Sequence, residues 1–172
     1  MERNKPIIRP PNGLDAINAM FGKLTDYLIT NPDGSMGIEP RFEREHIVLT
    51  KLPWAIPLSW NRNIEVVEFR CHTLLKEKIE TIFQKILDDG LKDKIHSFGG
   101  CFQFRLKSSG RGYSTHSWGI AIDLNPETNR RGELGDIDKL IVKVFEDAGF
   151  AWGGGWNGRV RDPMHFQFCS GY

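Results

Sequence analysis

The chain has 172 residues, 40% of them hydrophobic and 11% aromatic, which is enough apolar mass for one hydrophobic core. Lys plus Arg total 23 and Asp plus Glu total 22, for a formal net charge of +1. This balance gives no electrostatic reason to expect nucleic acid or a membrane surface as a partner. The three cysteines, Cys71, Cys101 and Cys169, form no CxxC pair, which excludes a cysteine-rich zinc knuckle. We expect reduced thiols in a single domain, and a monomer.

The N-terminal run, residues 1–6, carries charges but not the apolar stretch of a signal peptide. No segment approaches the roughly 18 to 20 apolar residues of a membrane span. We therefore expect synthesis in the cytoplasm and no membrane insertion.

Residues 1–65 are interrupted by prolines, and Asn31-Pro32-Asp33-Gly34 is a strong turn signal. The sequence predicts a short helix over 14–27. We expect the rest of this segment to be an irregular, extended covering layer, with Trp54 and Trp60 buried against the body. The catalytic core is then expected over 66–172.

Two helices are predicted in that core. Apolar residues recur at helical spacing between residues 68 and 87, and Gly90 supplies a stop. A second apolar stripe at the same spacing covers 136–148 and ends at Gly149.

Three short segments alternate apolar with small or polar residues, as strands with one buried face do. They are residues 101–106, 119–124 and 164–168. The expected fold class is α+β, with a small antiparallel sheet packed against helices.

If the three strands share a sheet with their apolar faces inward, the opposite face carries Arg105, Asp123, His165 and Gln167. His116 precedes Asp123 by an odd number of residues and would face away in one continuous strand. Gly119 between them offers a bend, so His116 can lie on the loop that enters the strand.

Two imidazoles and one carboxylate form an open zinc site, with three protein ligands and a fourth position left for water. We therefore predict Zn²⁺ on His116, Asp123 and His165, in a catalytic rather than a structural role. A carboxylate must still take a proton from the water, and we expect Asp162 to turn back toward the metal for this purpose, helped by Pro163. Arg105 is expected to polarise the scissile carbonyl or bind a substrate carboxylate.

The block STHSWGIAID, residues 114–123, resembles the SxHxxGxAxD signature of the D-alanyl-D-alanine carboxypeptidase family of zinc metallopeptidases. The later block DPMHF, residues 162–166, resembles the part of that family that supplies the acid/base carboxylate and the last zinc ligand. WGGGW, residues 152–156, is similar to the run that precedes this block in the phage endolysin-like branch, the L-alanyl-D-glutamate endopeptidases. The resemblance covers residues from about 97 to 169.

The resemblance implies a hedgehog/DD-peptidase-like fold and a zinc peptidase that acts on peptidoglycan stem peptides in the cell wall, in the periplasm or outside, after release. The Asp at position 162, where the dipeptidases use Glu, favours the endopeptidase branch. A D-alanyl-D-alanine carboxypeptidase or dipeptidase, and a catalytically silent zinc-binding module of the same fold, are the alternatives. For substrate binding we consider Arg105, Ser114, Trp152 and Trp156, with an ion pair for Arg105 and a turn cap for Ser114 as the structural alternatives.

Overall fold

The computed structural model describes residues 8–172; the run 1–6, on which the signal-peptide prediction rests, lies outside this range. Within the described residues the chain forms four α-helices, which are α1 (Leu14–Phe21), α2 (Pro40–His46), α3 (Lys76–Asp88) and α4 (Lys139–Asp147). It also forms eight strands, which are β1 (Leu28–Thr30), β2 (Met36–Ile38), β3 (Ile47–Leu58), β4 (Asn61–His72), β5 (Phe98–Gly100), β6 (Ala121–Leu124), β7 (Ala151–Trp152) and β8 (His165–Gln167).

Six strands form one sheet in the order β4-β3-β5-β6-β8-β7, and β1 pairs with β2 separately. Neighbouring strands of the large sheet run antiparallel except β3 and β5, which are joined in parallel at Leu58 and Phe98. The predicted α+β class is confirmed.

The prediction of an irregular layer over residues 1–65 is wrong, because β3 and β4 form a long hairpin that extends into this segment. The prolines that argued against a strand, Pro53 and Pro57, lie at irregularities in the β3–β4 pairing. Proline is tolerated at 53 because the pairing is interrupted between Lys51 and Ile56, whereas Pro57 is still paired with Glu65 and lies at the edge of the second irregularity. The proposed boundary between 65 and 66 falls inside β4, and Trp60, expected to be buried, is 68% exposed at the hairpin turn.

The helix predictions were right in place but too long. Residues 68–72 belong to β4, where burial of Phe69 and Cys71 follows the two-residue period of a strand. The helix predicted over 14–27 ends at Phe21, because Gly22 takes φ of 90° and a separate 3₁₀ turn follows. The helix predicted over 136–148 begins at Lys139, where the Asp138 side chain accepts a hydrogen bond from the Leu140 N–H.

Of the three predicted strands, the two around 119–124 and 164–168 are confirmed as β6 and β8. The strand predicted over 101–106 is wrong. The chain leaves the sheet after Gly100, whose φ of 118° is open to glycine and costly for other residues. The Phe102 N–H then donates to the Arg70 carbonyl of β4, and the Gln103 N–H donates to the His116 carbonyl, so the two successive bonds go to different segments and form no ladder.

Helices α3 and α4 pack together on one face of the sheet. The Phe145 ring of α4 lies 6.1 Å from the Phe83 ring of α3 and 4.3 Å from the Phe166 ring of β8. Phe166 pairs across the strands with Ile122, so these two side chains face the helices, and the alternate residues of β6 and β8 face the other way. Within residues 8–172 no helix combines the length and the apolar character that crossing a bilayer requires.

Candidate metal centre and cleft

Two adjacent strands supply two of the predicted metal ligands. Asp123 of β6 lies directly opposite His165 of β8, and Ala121 lies opposite Gln167. Residues two apart on a strand share a face, so the expectation that Asp123, His165 and Gln167 lie together is confirmed. Arg105 does not share this face as a strand residue, because its segment has left the sheet.

The third ligand comes from the chain just before β6. His116 lies in a 3₁₀ turn, Thr115–Trp118, that Gly119 ends with φ of 68°. A side chain at position 119 would come within 2.9 Å of the His72 backbone nitrogen, so both conformation and space require glycine. The bend predicted there is confirmed.

The three side chains converge, with one ligand atom from each lying within 4.8 Å of the others. His116 Nε2 is 3.1 Å from Asp123 Oδ2, and His165 Nδ1 is 2.9 Å from Asp123 Oδ1. Both imidazoles are buried, His116 at 3% exposure and His165 at 7%.

The hydrogen bonds on the far side of each ring show that this cluster fits a cation. His116 Nδ1 is 2.6 Å from the Cys101 carbonyl oxygen, which can only accept, so Nδ1 carries the proton and Nε2 of a neutral ring is bare. His116 Nε2 is buried without a hydrogen-bond partner among the described residues, since its 3.1 Å approach to Asp123 lacks hydrogen-bond geometry.

His165 is oriented in the same way. The His165 Nε2 atom lies 3.1 Å from Gln167 Oε1. The Gln167 amide is itself oriented, because its NH₂ group donates to the Cys169 carbonyl. A proton on His165 Nε2 leaves Nδ1 bare toward Asp123. Two bare nitrogens and a carboxylate facing one another repel unless a cation lies between them, and the donor set suits zinc.

The pKa shifts of the cluster also favour a cation at this position. Burial would raise the pKa of Asp123, but the charges and hydrogen bonds of His116 and His165 outweigh it and hold that pKa below its usual range. Burial would lower the pKa of His165, but the hydrogen bond and charge of Asp123 raise it above its usual value. The buried Asp123 carboxylate thus favours positive charge beside it.

Asp162 lies just before β8, in the turn where its carbonyl accepts a hydrogen bond from the His165 N–H. Burial raises the pKa of its carboxyl group, and the charge of His165 opposes this. The Oδ1 atom is buried and has no hydrogen-bond partner among the described residues. An unpartnered carboxylate oxygen beside the cluster is free to accept a proton.

A cleft of about 400 Å³ reaches the cluster at His165, the one ligand among its lining residues, and is also lined by Asp162. Of the residues predicted to bind substrate, Arg105, Ser114 and Trp156 also line it. Ser114 in addition caps the turn that carries His116, by accepting a hydrogen bond from the His116 N–H.

Trp152 has a different position from the one predicted. Its ring is absent from the cleft lining within residues 8–172, and Nε1 donates to the Pro163 carbonyl at 2.7 Å. The expectation of substrate contact is therefore not supported for Trp152, which instead packs behind the segment that carries Asp162.

Two of the three glycines between the tryptophans are required by close packing. A side chain at Gly153 would lie 2.5 Å from the Asp162 carbonyl oxygen, and one at Gly154 would lie 2.1 Å from the Trp152 ring. Gly155 has open space around it.

The sequence analysis assigned no role to several residues of the site. Gln167 orients His165, and the Ser117 hydroxyl ties the Arg105 backbone to the turn that carries His116. The strand alternation placed Gln167 on the right face, which was the available signal for it. Lys107 and Arg131, which also line the cleft, lie in loops whose position no local pattern reveals.

A known protein family matches the part of the chain that contains the three predicted metal ligands. Residues 107–168 match the model of the D-alanyl-D-alanine carboxypeptidase family. The match confirms the resemblance drawn from the two sequence blocks, and it covers less than half of the chain. A match to this family supports a hydrolase of the metallopeptidase type that acts on peptidoglycan-like substrates. No curated protein matches the chain.

Proposed function

We propose that this protein is a zinc-dependent peptidase that hydrolyses the L-alanyl-D-glutamate bond of peptidoglycan stem peptides. The observation that carries the proposal is the three-ligand cluster of His116, Asp123 and His165, in which His165 lines the same cleft as the unpartnered Asp162 carboxylate. Structural zinc sites use four protein ligands, whereas catalytic sites leave one position open.

In this proposal His116, Asp123 and His165 hold the metal. Zinc, when bound, supplies Lewis-acid activation of a water molecule and of the scissile carbonyl. Asp162 Oδ1 takes the proton of the attacking water and passes it to the leaving amine nitrogen.

The remaining residues bind and orient the peptide. Arg105, whose backbone is tied to the turn that carries His116, donates hydrogen bonds to the scissile carbonyl oxygen. Trp156, with its ring 5.7 Å from the His165 ring, forms an apolar wall that excludes water, and Ser114 contributes a polar contact. We propose that the protein acts as a monomer on wall material that it reaches after release from the cytoplasm.

Two other functions remain as alternatives. A D-alanyl-D-alanine carboxypeptidase is favoured by the description of the matching family, and a terminal carboxylate would also suit Arg105. A silent zinc-binding module is disfavoured by Asp162, because a protein without turnover does not need a buried, unpartnered carboxylate beside the metal ligands.

The test is mass spectrometry of soluble fragments after zinc-loaded protein is incubated with purified Gram-negative sacculi. We expect peptides that begin at D-glutamate. Asp162→Asn should retain zinc and lose most turnover, because proton transfer alone is removed. His116→Ala should lose zinc and turnover together, whereas His96→Ala, at an exposed histidine, should change neither.

Loss of a terminal D-alanine alone would replace this proposal with the carboxypeptidase. Intact sacculi with zinc bound would replace it with a different substrate or with the silent module. Near-normal turnover by Asp162→Asn would remove that residue from the mechanism.

A further inference from the structure

The cleft concentrates positive charge although the whole chain is nearly neutral. Three of its lining side chains are cations, Arg105, Lys107 and Arg131, and the one carboxylate among its lining residues is Asp162. Elsewhere surface cations pair with carboxylates, as in Arg70 with Glu43. No such pair involves the three cleft cations among residues 8–172. Unpaired cations around a concave site favour an anionic ligand.

Arg131 is held in place by a closed loop. Asn129 is fully buried below it, and its Oδ1 accepts the N–H groups of Asp136 and Ile137 at 2.8 and 3.0 Å. Its Nδ2 donates to the Asn125 carbonyl at 3.0 Å. The loop is therefore closed on a buried amide, so Arg131 projects from an ordered base.

The same loop is tied to the segment that carries Asp162. The Gly132 N–H donates to the Arg161 carbonyl at 2.7 Å, one residue before Asp162. The Arg131 guanidinium donates to the Ser108 hydroxyl across the cleft. Arg131 and Asp162 line the same cleft. Burial raises the pKa of Asp162, and the Arg131 charge is among the effects that lower it.

The other two cations of the cleft, Lys107 and Arg105, each have another contact or role. Lys107 Nζ lies 3.3 Å from the centre of the Tyr172 ring, in a cation–π contact. Arg105 is assigned to the scissile carbonyl. Arg131 is thus the cleft guanidinium that has no other assigned contact with substrate, and its planar fork suits a carboxylate.

We propose that Arg131 binds the free α-carboxylate of the D-glutamate residue on the leaving side of the scissile bond, and so selects acidic over amidated stem peptides. This rests on the proposed function. The D-glutamate residue continues the stem through its γ-carboxyl group, so its α-carboxylate is attached to the carbon that bears the leaving nitrogen. Binding that places this nitrogen at Asp162, its proton donor, also places the α-carboxylate in the cleft that Arg131 lines.

The test compares two synthetic stem peptides that differ only in this group, one with the free α-carboxylate and one with the α-carboxamide. We expect zinc-loaded wild-type protein to prefer the carboxylate peptide by roughly 10- to 100-fold in kcat/KM, the range of a charge-assisted hydrogen bond. Arg131→Gln should lose this preference through a higher KM for the carboxylate peptide, with the carboxamide peptide nearly unaffected. Arg130→Gln, at the exposed neighbouring position, is the matched control and should keep the preference.

Equal cleavage of the two peptides by wild-type protein, or an equal loss on both in Arg131→Gln, would overturn the proposal and leave the peptidase function intact. Calorimetric binding of both peptides to zinc-loaded Asp162→Asn separates the claim about Arg131 from the claim that the protein is a peptidase. Selective binding of the carboxylate peptide, with neither peptide cleaved by wild-type protein, would overturn the peptidase function and support Arg131 as the anion contact. Equal binding with no cleavage would overturn both.

Discussion

Each imidazole of the metal cluster is oriented by the nitrogen that faces away from Asp123. A backbone carbonyl, that of Cys101, fixes His116, and a side-chain amide, that of Gln167, fixes His165. Such partners set the tautomer and the ring orientation, and their loss commonly costs 10- to 100-fold in metal affinity. The two supports differ in one useful respect, since the amide can be changed by substitution and the carbonyl cannot.

Gln167→Ala should therefore weaken zinc binding by roughly 10- to 100-fold while the three ligands remain. Gln167→Glu is the matched variant, because a carboxylate oxygen can still accept the Nε2 proton of His165, and zinc affinity should be largely restored. The measurement is competition against a chromophoric chelator. Unchanged affinity in Gln167→Ala would mean that Thr115, 3.3 Å from the same nitrogen, is enough to orient the ring.

At the scale of elements, the loop between β7 and β8 places the proposed proton acceptor. The Asp162 N–H donates to the Gly153 carbonyl at 2.9 Å, and the two segments lie too close for any side chain at Gly153. The Trp152 ring covers the back of this contact and bonds the Pro163 carbonyl. The loop is a packed support for Asp162.

Gly153→Ala should push the Asp162 segment away and lower turnover by at least about tenfold, since small displacements of a reacting group are costly. Zinc affinity should change less than turnover, because His116 and Asp123 lie on the 3₁₀ turn and on β6, and His165 alone of the three ligands is bonded to the Asp162 segment, through its backbone N–H. Gly155→Ala is the control in the same loop, where added atoms meet open space, and should retain activity. Equal turnover of the two variants and wild-type protein would show that Asp162 is not positioned by this contact.

At the scale of the whole molecule, buried His72 joins the end of β4 to α1 and to the following 3₁₀ turn. Its Nε2 lies 3.2 Å from the Phe21 carbonyl, and its Nδ1 accepts from the Leu74 N–H at 3.2 Å. A second proton would place an N–H against an N–H. Burial, with a smaller effect of the His46 charge, lowers the pKa of His72 to about 4.

The folded pKa of His72 lies below the value of about 6.5 for an unfolded histidine, so between these values the unfolded chain binds more protons. Stability should therefore fall as pH decreases from about 6.5 to about 4, by roughly 3 kcal/mol from this group. Urea unfolding of metal-free protein across this range measures it. His72→Gln removes the titrating group and should show a shallower decline, and parallel curves for the two proteins would contradict the assignment.

Much of the site could be worked out from the order of residues. His116, Asp123, Asp162 and His165 lie in two short blocks, and strand alternation placed Asp123, His165 and Gln167 on one face. Such local patterns can be read from the sequence because successive side chains of a strand point to opposite faces of the sheet, whichever strand it pairs with.

The remaining features depend on contacts between distant segments. Prolines hid the β3–β4 hairpin, since only the pairing register shows that they lie at irregularities. The Cys101 carbonyl that orients His116 has no side-chain signature, because every residue carries the same acceptor. The need for glycine at 153 comes from Asp162, and the position of Arg131 comes from a loop closed on Asn129. These relations arise when the chain packs, because distances between segments far apart in the chain are set by the packed core and not by local spacing.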